Sequence, residues 1–289
     1  MYLPNISLSL LLPFLPLTFA RLEFTNSGTL TGWSFPPKPE HSGTITAVTN
    51  VFLTPPSSIK ITQTYDKSYT GRYHSEAVYN HGYRIGDRKF YGFSFRLSKD
   101  WDFQGSQSYN IAQFIADYGD TKCDDWSPTT MIFLRGTTLY GRVKTGQLLP
   151  GKPCASPKEN CGGGKNCQRI REFVLLKGVK GDAWTRVELD VKWAADASGW
   201  FRAWVDGGEV KGLASEGVPT TFLDDGRELS FRVGLYANGW HDEKKLVGSQ
   251  GFRQVWIDEV RVGSERSDVK VADMEGQDDT EGKFLVQEL

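Results

Sequence analysis

Arg186-Val-Glu-Leu-Asp-Val-Lys-Trp193 alternates apolar and polar residues without a break, so in an extended chain Val187, Leu189, Val191 and Trp193 share one face. A helix would scatter those four around its circumference, whereas a strand lines them up. Lys89-Phe-Tyr-Gly-Phe-Ser-Phe-Arg-Leu97 repeats the pattern and aligns Tyr91, Phe93, Phe95 and Leu97. Trp200-Phe-Arg-Ala-Trp-Val-Asp-Gly-Gly208 runs from a strand into a turn signal, and Arg253-Gln-Val-Trp-Ile-Asp-Glu-Val-Arg-Val-Gly263 reads as a closing strand. Between Thr29 and Gly263 a helical period is almost absent, and Gly, Asp, Asn or Pro separate the alternating runs. No solenoid- or propeller-length repeat and no Pro-, Ser- or Gly-rich linker divides the stretch. The sequence therefore predicts an all-β chain, a single antiparallel β-jelly roll or concanavalin-like sandwich over residues 21–263.

Outside that body the composition changes. The 289 residues hold 34 basic and 35 acidic side chains, a formal charge of −1 that argues against nucleic acid as a partner held by bulk attraction. Residues 264–289 carry eight acids against three bases, or −5, and residues 1–20 carry no charged side chain, so the body is −1 + 5 = +4. The segment 264–289 is expected to be an acidic, disordered tail. Met1–Ala20 reads as a signal peptide: its apolar run Ile6–Leu17 is too short to span a bilayer, and Thr18-Phe-Ala20 supplies small residues for cleavage. Secretion to the extracellular space follows as an expectation, with no membrane partner. In that compartment Cys123, Cys154, Cys161 and Cys167 should form two disulfides, with three connectivities open. Three of them lie in the insertion Gly151-Lys-Pro-Cys-Ala-Ser-Pro-Lys-Glu-Asn-Cys-Gly-Gly-Gly-Lys-Asn-Cys167, which lacks the CxxC spacing of a zinc site.

The usual hydrolytic signatures are missing. Asp124-Asp125, Asp224-Asp225 and Asp258-Glu259 are adjacent pairs, which point to opposite faces of a strand and so do not converge. There is no G-x-S-x-G and no phosphate-cradling loop in strand–helix context. Polar residues embedded in strands stand out instead. Arg72, His74 and Glu76 share one face of Arg72-Tyr-His-Ser-Glu-Ala-Val78, and Tyr140, Arg142 and Lys144 share one face of Tyr140-Gly-Arg-Val-Lys144. Arg232, Tyr236 and Asn238 do the same in Arg232-Val-Gly-Leu-Tyr-Ala-Asn238, and Gln113 is a lone amide in the apolar run Tyr109-Asn-Ile-Ala-Gln-Phe-Ile115. Taken singly, Arg142 or Lys144 reads as a solvated outer-face residue and Gln113 as a hydrogen-bonded core amide. Taken together, a sheet face lined with cations, amides and hydroxyls suits an anionic sugar polymer.

Four motifs carry a resemblance. Gln107-Ser-Tyr-Asn-Ile-Ala-Gln-Phe-Ile-Ala-Asp-Tyr118, Leu139-Tyr-Gly-Arg-Val-Lys144, Phe231-Arg-Val-Gly-Leu-Tyr-Ala-Asn-Gly-Trp-His-Asp242 and Gln254-Val-Trp-Ile-Asp-Glu259 resemble the fungal glucuronan lyases of polysaccharide lyase family 20, from about Tyr73 to Gly263. His74-Ser-Glu76 is similar to the Arg-[Ser/Thr]-Glu strand of the wider jelly-roll alginate lyases. Gln113 is similar to their Gln-Ile-His, but Phe114-Ile115 follows it here, so a working histidine must be His74. The resemblance implies a lyase acting endolytically on β-1,4-polyglucuronate, an acidic polysaccharide, by syn β-elimination. In that reading Gln113 and His74, with Arg72, donate to the uronate carboxylate while Tyr236 serves as base and acid, its pKa lowered by Arg142, Lys144 and Arg232. Asn238, Trp240 and His241 contact the flanking sugars. A structural Ca²⁺ joining the first and last strands, held by Glu23, Asn26 and Asp258, and a monomeric state complete the expectation. A sandwich-fold glucan hydrolase, with Glu76 as its most eligible acid, and a non-catalytic carbohydrate-binding protein using surface residues such as Trp126 and Trp240 are the alternatives.

Overall fold

The computed structural model describes residues 21–156, 161, 163–213 and 216–271. The signal-peptide segment 1–20 and the tail from residue 272 onward lie outside the described residues. In chain order the strands are β1 Leu22–Asn26, β2 Lys38–Pro39, β3 Thr44–Val48, β4 Ser58–Thr64, β5 His74–Tyr83, β6 Arg88–Leu97, β7 Ser108–Asp117 and β8 Trp126–Arg135. They continue as β9 Thr138–Gln147, β10 Cys167–Lys177, β11 Trp184–Lys192, β12 Trp200–Val205, β13 Gly208–Glu209, β14 Phe222–Leu223, β15 Leu229–Tyr236 and β16 Phe252–Gly263. Two short helices, α1 Asn238–Glu243 and α2 Arg266–Val269, complete the described chain.

The strands form two sheets. The first runs β13-β12-β11-β6-β16-β4-β3 with β1 also on β16, and the second runs β10-β9-β8-β7-β15-β5-β2 with β14 on β9. All named pairs are antiparallel except β14 with β9. Their inner faces meet in an aromatic core, as the alternation in β6 and β11 requires. Tyr91 of the first sheet lies 4.6 Å from Phe114 and 5.3 Å from Phe231 of the second, ring centroid to centroid. Trp193, fully buried, stacks 3.6 Å from Tyr83 and donates its Nε1–H to Tyr91 Oη at 2.9 Å. The all-β sandwich expected from the sequence is thus the observed fold.

The polar face of β11 is covered rather than solvated. Glu188 accepts from Arg266 at 2.8 Å, and Asp190 accepts from Arg88 Nη2 and from Trp200 Nε1, each at 3.1 Å. Arg186 is buried, donating to Glu259 O at 2.5 Å and to the carbonyl of Val269. Residues 264–271 therefore belong to the fold: Glu265 and Asp268 form a reciprocal capping box at the start of α2, and Val269 and Val271 are buried. The boundary drawn at Gly263 from charge alone falls too early, because two valines and a cap outweigh the local acidity.

All four cysteines are paired, Cys123 with Cys154 and Cys161 with Cys167. The first bridge ties the insertion to the turn between β7 and β8; a cysteine zinc site is thereby excluded. Among the described residues no helix is long and apolar enough to cross a membrane.

Gly92 of β6 makes room for the Arg186 side chain: a Cβ there would lie 2.1 Å from Arg186 Nη2 and 2.9 Å from Val269 O. Gly92→Ala is expected to cost about 1–3 kcal/mol by overpacking, a fall of several degrees in Tm by scanning calorimetry. An unchanged Tm would contradict the packing described.

Candidate active site

Strand register brings together residues that are far apart in sequence. One rung across the outer face of the second sheet reads Tyr140, Phe133, Asn110, Tyr236, His74, and the next reads Glu172, Arg142, Met131, Gln113, Arg232, Val78. Because side chains alternate, Glu76 stands on the same face of β5 as His74. β-Bulges interrupt β7 at Asn110/Ala112 and β15 at Val233/Tyr236, which bends the sheet at the row that carries Tyr236.

Glu76 lies at the bottom of this face, buried. Gln113 Nε2 donates to its Oε1 at 2.8 Å and its Oε2 at 2.9 Å; His74 Nδ1 is 3.7 Å and Arg232 Nη1 3.9 Å from Oε2. Burial pushes the Glu76 carboxyl up, against the opposing pull of Arg232 and Gln113. In the free protein the Gln113 amide thus holds the Glu76 carboxyl group that positions its neighbours.

His74 and Tyr236 meet edge to face with ring centroids 3.9 Å apart. Burial drives the His74 pKa down to about 4, the Glu40 carboxylate opposes it, and Arg232, Arg72 and His241 drive it further down, so the ring is uncharged at neutral pH. Its Nε2 is buried without a hydrogen-bond partner. Assigning the ring proton to Nδ1, 3.7 Å from Glu76 Oε2, leaves the lone pair on Nε2. The Tyr236 pKa is raised, first by burial and then by Asp242, with Glu76 and Glu40 adding to this and Arg72 opposing. This overturns the expectation that neighbouring cations lower it. Burial and Asp242 together outweigh Arg72. Among the described residues the Tyr236 hydroxyl makes no hydrogen bond.

The cations ring this pair. Arg72 bridges to Asp125 at 3.1 Å, and Lys144 donates to Ser127 Oγ at 2.9 Å with Asp124 Oδ2 at 3.8 Å. Burial, then Arg142, brings the Lys144 pKa down to about 8. Burial also lowers the pKa of Arg142, whose guanidinium contacts the Met131 sulfur. Arg232 donates to Ser230 Oγ at 3.1 Å and lies 4.9 Å over the Trp126 ring. Arg72, Arg142, Lys144, Arg232, His74 and Tyr236 therefore share the face assigned to them by the alternation.

Two other residues are placed elsewhere than expected. Trp240 is 1% exposed and packs against Tyr73 at 5.2 Å and Tyr65 at 5.6 Å, so it belongs to the core. Asn238 is buried and donates to Ser108 Oγ at 2.7 Å, tying down the start of α1. The three residues expected to hold calcium have protein partners: Glu23 pairs with Lys89 at 2.9 Å, the Asn26 amide serves Thr29 and Thr31, and Asp258 accepts from the backbone N–H groups of Leu53, Thr54 and Glu259. Burial raises the Asp258 pKa to about 6. His241 sits at the rim, 3.1 Å from Asp242.

Met131, Glu40 and Asp242 complete the site and were not singled out from the sequence. Met131 shares the rung of Gln113 only through strand pairing, and Glu40 reaches His74 N at 3.3 Å from outside the large sheets' registers. Asp242 closes the motif Phe231–Asp242 and had that one signal.

A family model described as polysaccharide lyase matches residues 25–261. The crystal structure of endo-β-1,4-glucuronan lyase from the fungus Trichoderma reesei is 45% identical, with 86% of this chain and 98% of that chain covered and a TM-score of 0.75. A cellulose-induced protein follows at 13% identity over 83% of this chain and 96% of that one, with a TM-score of 0.48. An alginate lyase is 13% identical over 71% and 74%, with a TM-score of 0.43. No curated protein matches significantly.

The depressed histidine pKa has a measurable sign. The unfolded chain takes up a proton at His74 near 6.5 and the folded chain only near 4, so the stability due to its neutral form is lost as pH falls from about 6.5 toward 4. The His74 imidazole resonances are expected to titrate below about pH 5 in NMR; a midpoint near 6.5 would show an exposed ring.

Proposed function

The chain belongs to the polysaccharide lyase family, and we propose that within it this protein cleaves β-1,4-polyglucuronate endolytically by syn β-elimination, as a secreted enzyme. One observation carries the reading: a protonated phenol, Tyr236, touches an uncharged imidazole, His74, on a sheet face ringed by Arg72, Arg142, Lys144 and Arg232. Glucuronan, the polymer for which the Trichoderma reesei lyase is named, supports the choice of substrate, and two disulfides support an oxidising compartment.

The chemistry follows from those protonation states. Elimination removes H5, α to the uronate carboxylate, breaks the C4–O4 bond, forms a double bond between C4 and C5 and returns a proton to O4. The difficulty is the negative charge that builds on the carboxylate as H5 leaves. Arg72, Arg142 and Lys144 are the cations that meet it, and such preorganised charge is commonly the largest catalytic contribution. His74 Nε2, unpartnered and neutral, is the proton acceptor, and the Tyr236 hydroxyl, free of hydrogen bonds, is the donor to O4. Their edge-to-face contact puts acid and base on one side of the sugar, as H5 and O4 on one side of glucuronate require. A hydrolase would need two facing carboxylates, but Glu76 is enclosed by Gln113 at the bottom of the site.

Digestion of glucuronan is expected to release products with the ultraviolet absorbance of a conjugated unsaturated uronate, and Tyr236→Phe should lower kcat by about 10²–10⁴. Reducing ends without unsaturation would point to hydrolysis. The pH profile of kcat/KM should show its acid limb at about 4, where His74 becomes charged, and a basic limb at about 8, where Lys144 loses its proton. An acid limb near 6.5 would remove His74, as described, from the base role.

A further inference from the structure

Beside the catalytic rungs, a cavity of about 370 Å³ opens on the same sheet, bounded by Phe35 and Trp126 with Ile115 and Ala116 at its floor. Its size lies within the range of small-ligand pockets. Phe35 is 56% and Trp126 45% exposed, so two large aromatic faces that a soluble domain would normally bury both border one hollow. Neither stacks on another aromatic ring among the described residues.

The polar groups on the lining divide into committed and available. Arg227 is saturated by Asp120 at 3.1 Å and Asp225 at 2.8 Å, and Glu228 by His81 at 3.1 Å and Arg84 at 3.6 Å. Asp117 Oδ1 accepts the Gly119 N–H at 2.8 Å. Arg232 differs. Its Nε is used by Ser230 and its plane lies over Trp126, but its two terminal nitrogens make no hydrogen bond among the described residues, the nearest carboxylate oxygen being Glu76 Oε2 at 3.9 Å. The side-chain amide of Asn80 is likewise without a hydrogen bond among the described residues. The lining acids thus already have partners, and what remains is an aromatic platform with one unsatisfied guanidinium edge.

That combination fits one ligand chemistry, a pyranose ring carrying a carboxylate. The apolar face of the ring covers indole, and the carboxylate takes the paired N–H groups of the guanidinium. The geometry points to this cavity as a distal uronate subsite of the cleavage groove, with Trp126 as the stacking platform and Arg232 as the carboxylate clamp. Arg232 precedes Tyr236 by four residues on β15, about 13 Å at ~3.3 Å per residue before the intervening bulge shortens it. The subsite therefore binds a sugar that is not the one being cleaved. It rests on the polyuronate reading of the main site.

Two measurements test it separately from that reading. In the first, Tyr236→Phe protein, whose turnover is slowed, is titrated calorimetrically with long glucuronan fragments, with and without Trp126→Ala. The affinity is expected to fall about tenfold with Trp126→Ala and less with Trp126→Phe. Phe252→Ala, an exposed aromatic on the other sheet, is the control and should leave it unchanged. In the second, steady-state kinetics on glucuronan should place the loss from Trp126→Ala in KM, with kcat changing less than about twofold, and the rise in KM should shrink as the substrate shortens. Equal affinity of the Trp126→Ala and parent proteins for long fragments, or an effect equally large on the shortest cleaved oligomer, overturns the subsite. Failure of the wild type to form unsaturated product would overturn the lyase reading instead, and the calorimetric arm still decides whether Trp126 binds uronate.

Discussion

Glu76 is a carboxylate without solvent, and such a group is held only where donors reach it from the strands around it. Gln113 comes from β7, Arg232 from β15 and His74 from β5 itself, so three neighbouring strands must keep one register for the site to exist. A slip by a single residue would turn Gln113 into the core and Phe114 out of it. The aromatic interior prevents that slip, because Phe114 and Phe231 stack 4.8 Å apart between the sheets. Core packing and active-site chemistry are thus two faces of the same strands. What looks like a solitary polar residue in an apolar run is the fastener of the outer face.

That dependence explains which features are readable from the chain alone. Alternation in β6, β11 and β16 marks the strands, and alternation in β5, β9 and β15 puts Arg72, His74, Arg142, Lys144, Arg232 and Tyr236 on one side. Alternation has a limit, however: it says which residues share a face, not which neighbour each will meet. Gln113 and Glu76 are 37 residues apart, and only the pairing of β7 with β15 and of β15 with β5 shows that they touch. Trp240 defeats the sequence reading because the chain leaves β15 for α1 and turns the indole inward, where sequence alone offers an aromatic beside a histidine. The tyrosine pKa escapes it for a related reason. Its direction is set first by burial of the phenol and then by Asp242, which reaches it from outside the strands that alternation compares. The tail boundary fails because composition averages over residues, while burial of Val269 and Val271 is decided one side chain at a time.

Charge has a similar local structure. A body of +4 suggests a basic groove, yet in the free protein Arg72 is paired with Asp125 and Lys144 lies near Asp124. Both acids stand beside Cys123, whose bridge to Cys154 anchors their loop to the insertion. The disulfide-bearing insertion thereby supports the loop that carries Asp124 and Asp125. The Arg72–Asp125 pair is largely exposed, and such a pair contributes little stability.

The roles of Tyr236 and His74 depend on where the scissile bond lies. Soaking an oligoglucuronate into crystals of the Tyr236→Phe protein locates it directly. The expected result is a bound uronate whose glycosidic O4 lies within hydrogen-bonding distance of the place vacated by the Tyr236 hydroxyl, with H5 turned toward His74 Nε2 and the carboxylate between Arg72 and Arg142. A sugar bound with its carboxylate away from these cations, or on the outer face of the first sheet, would contradict it.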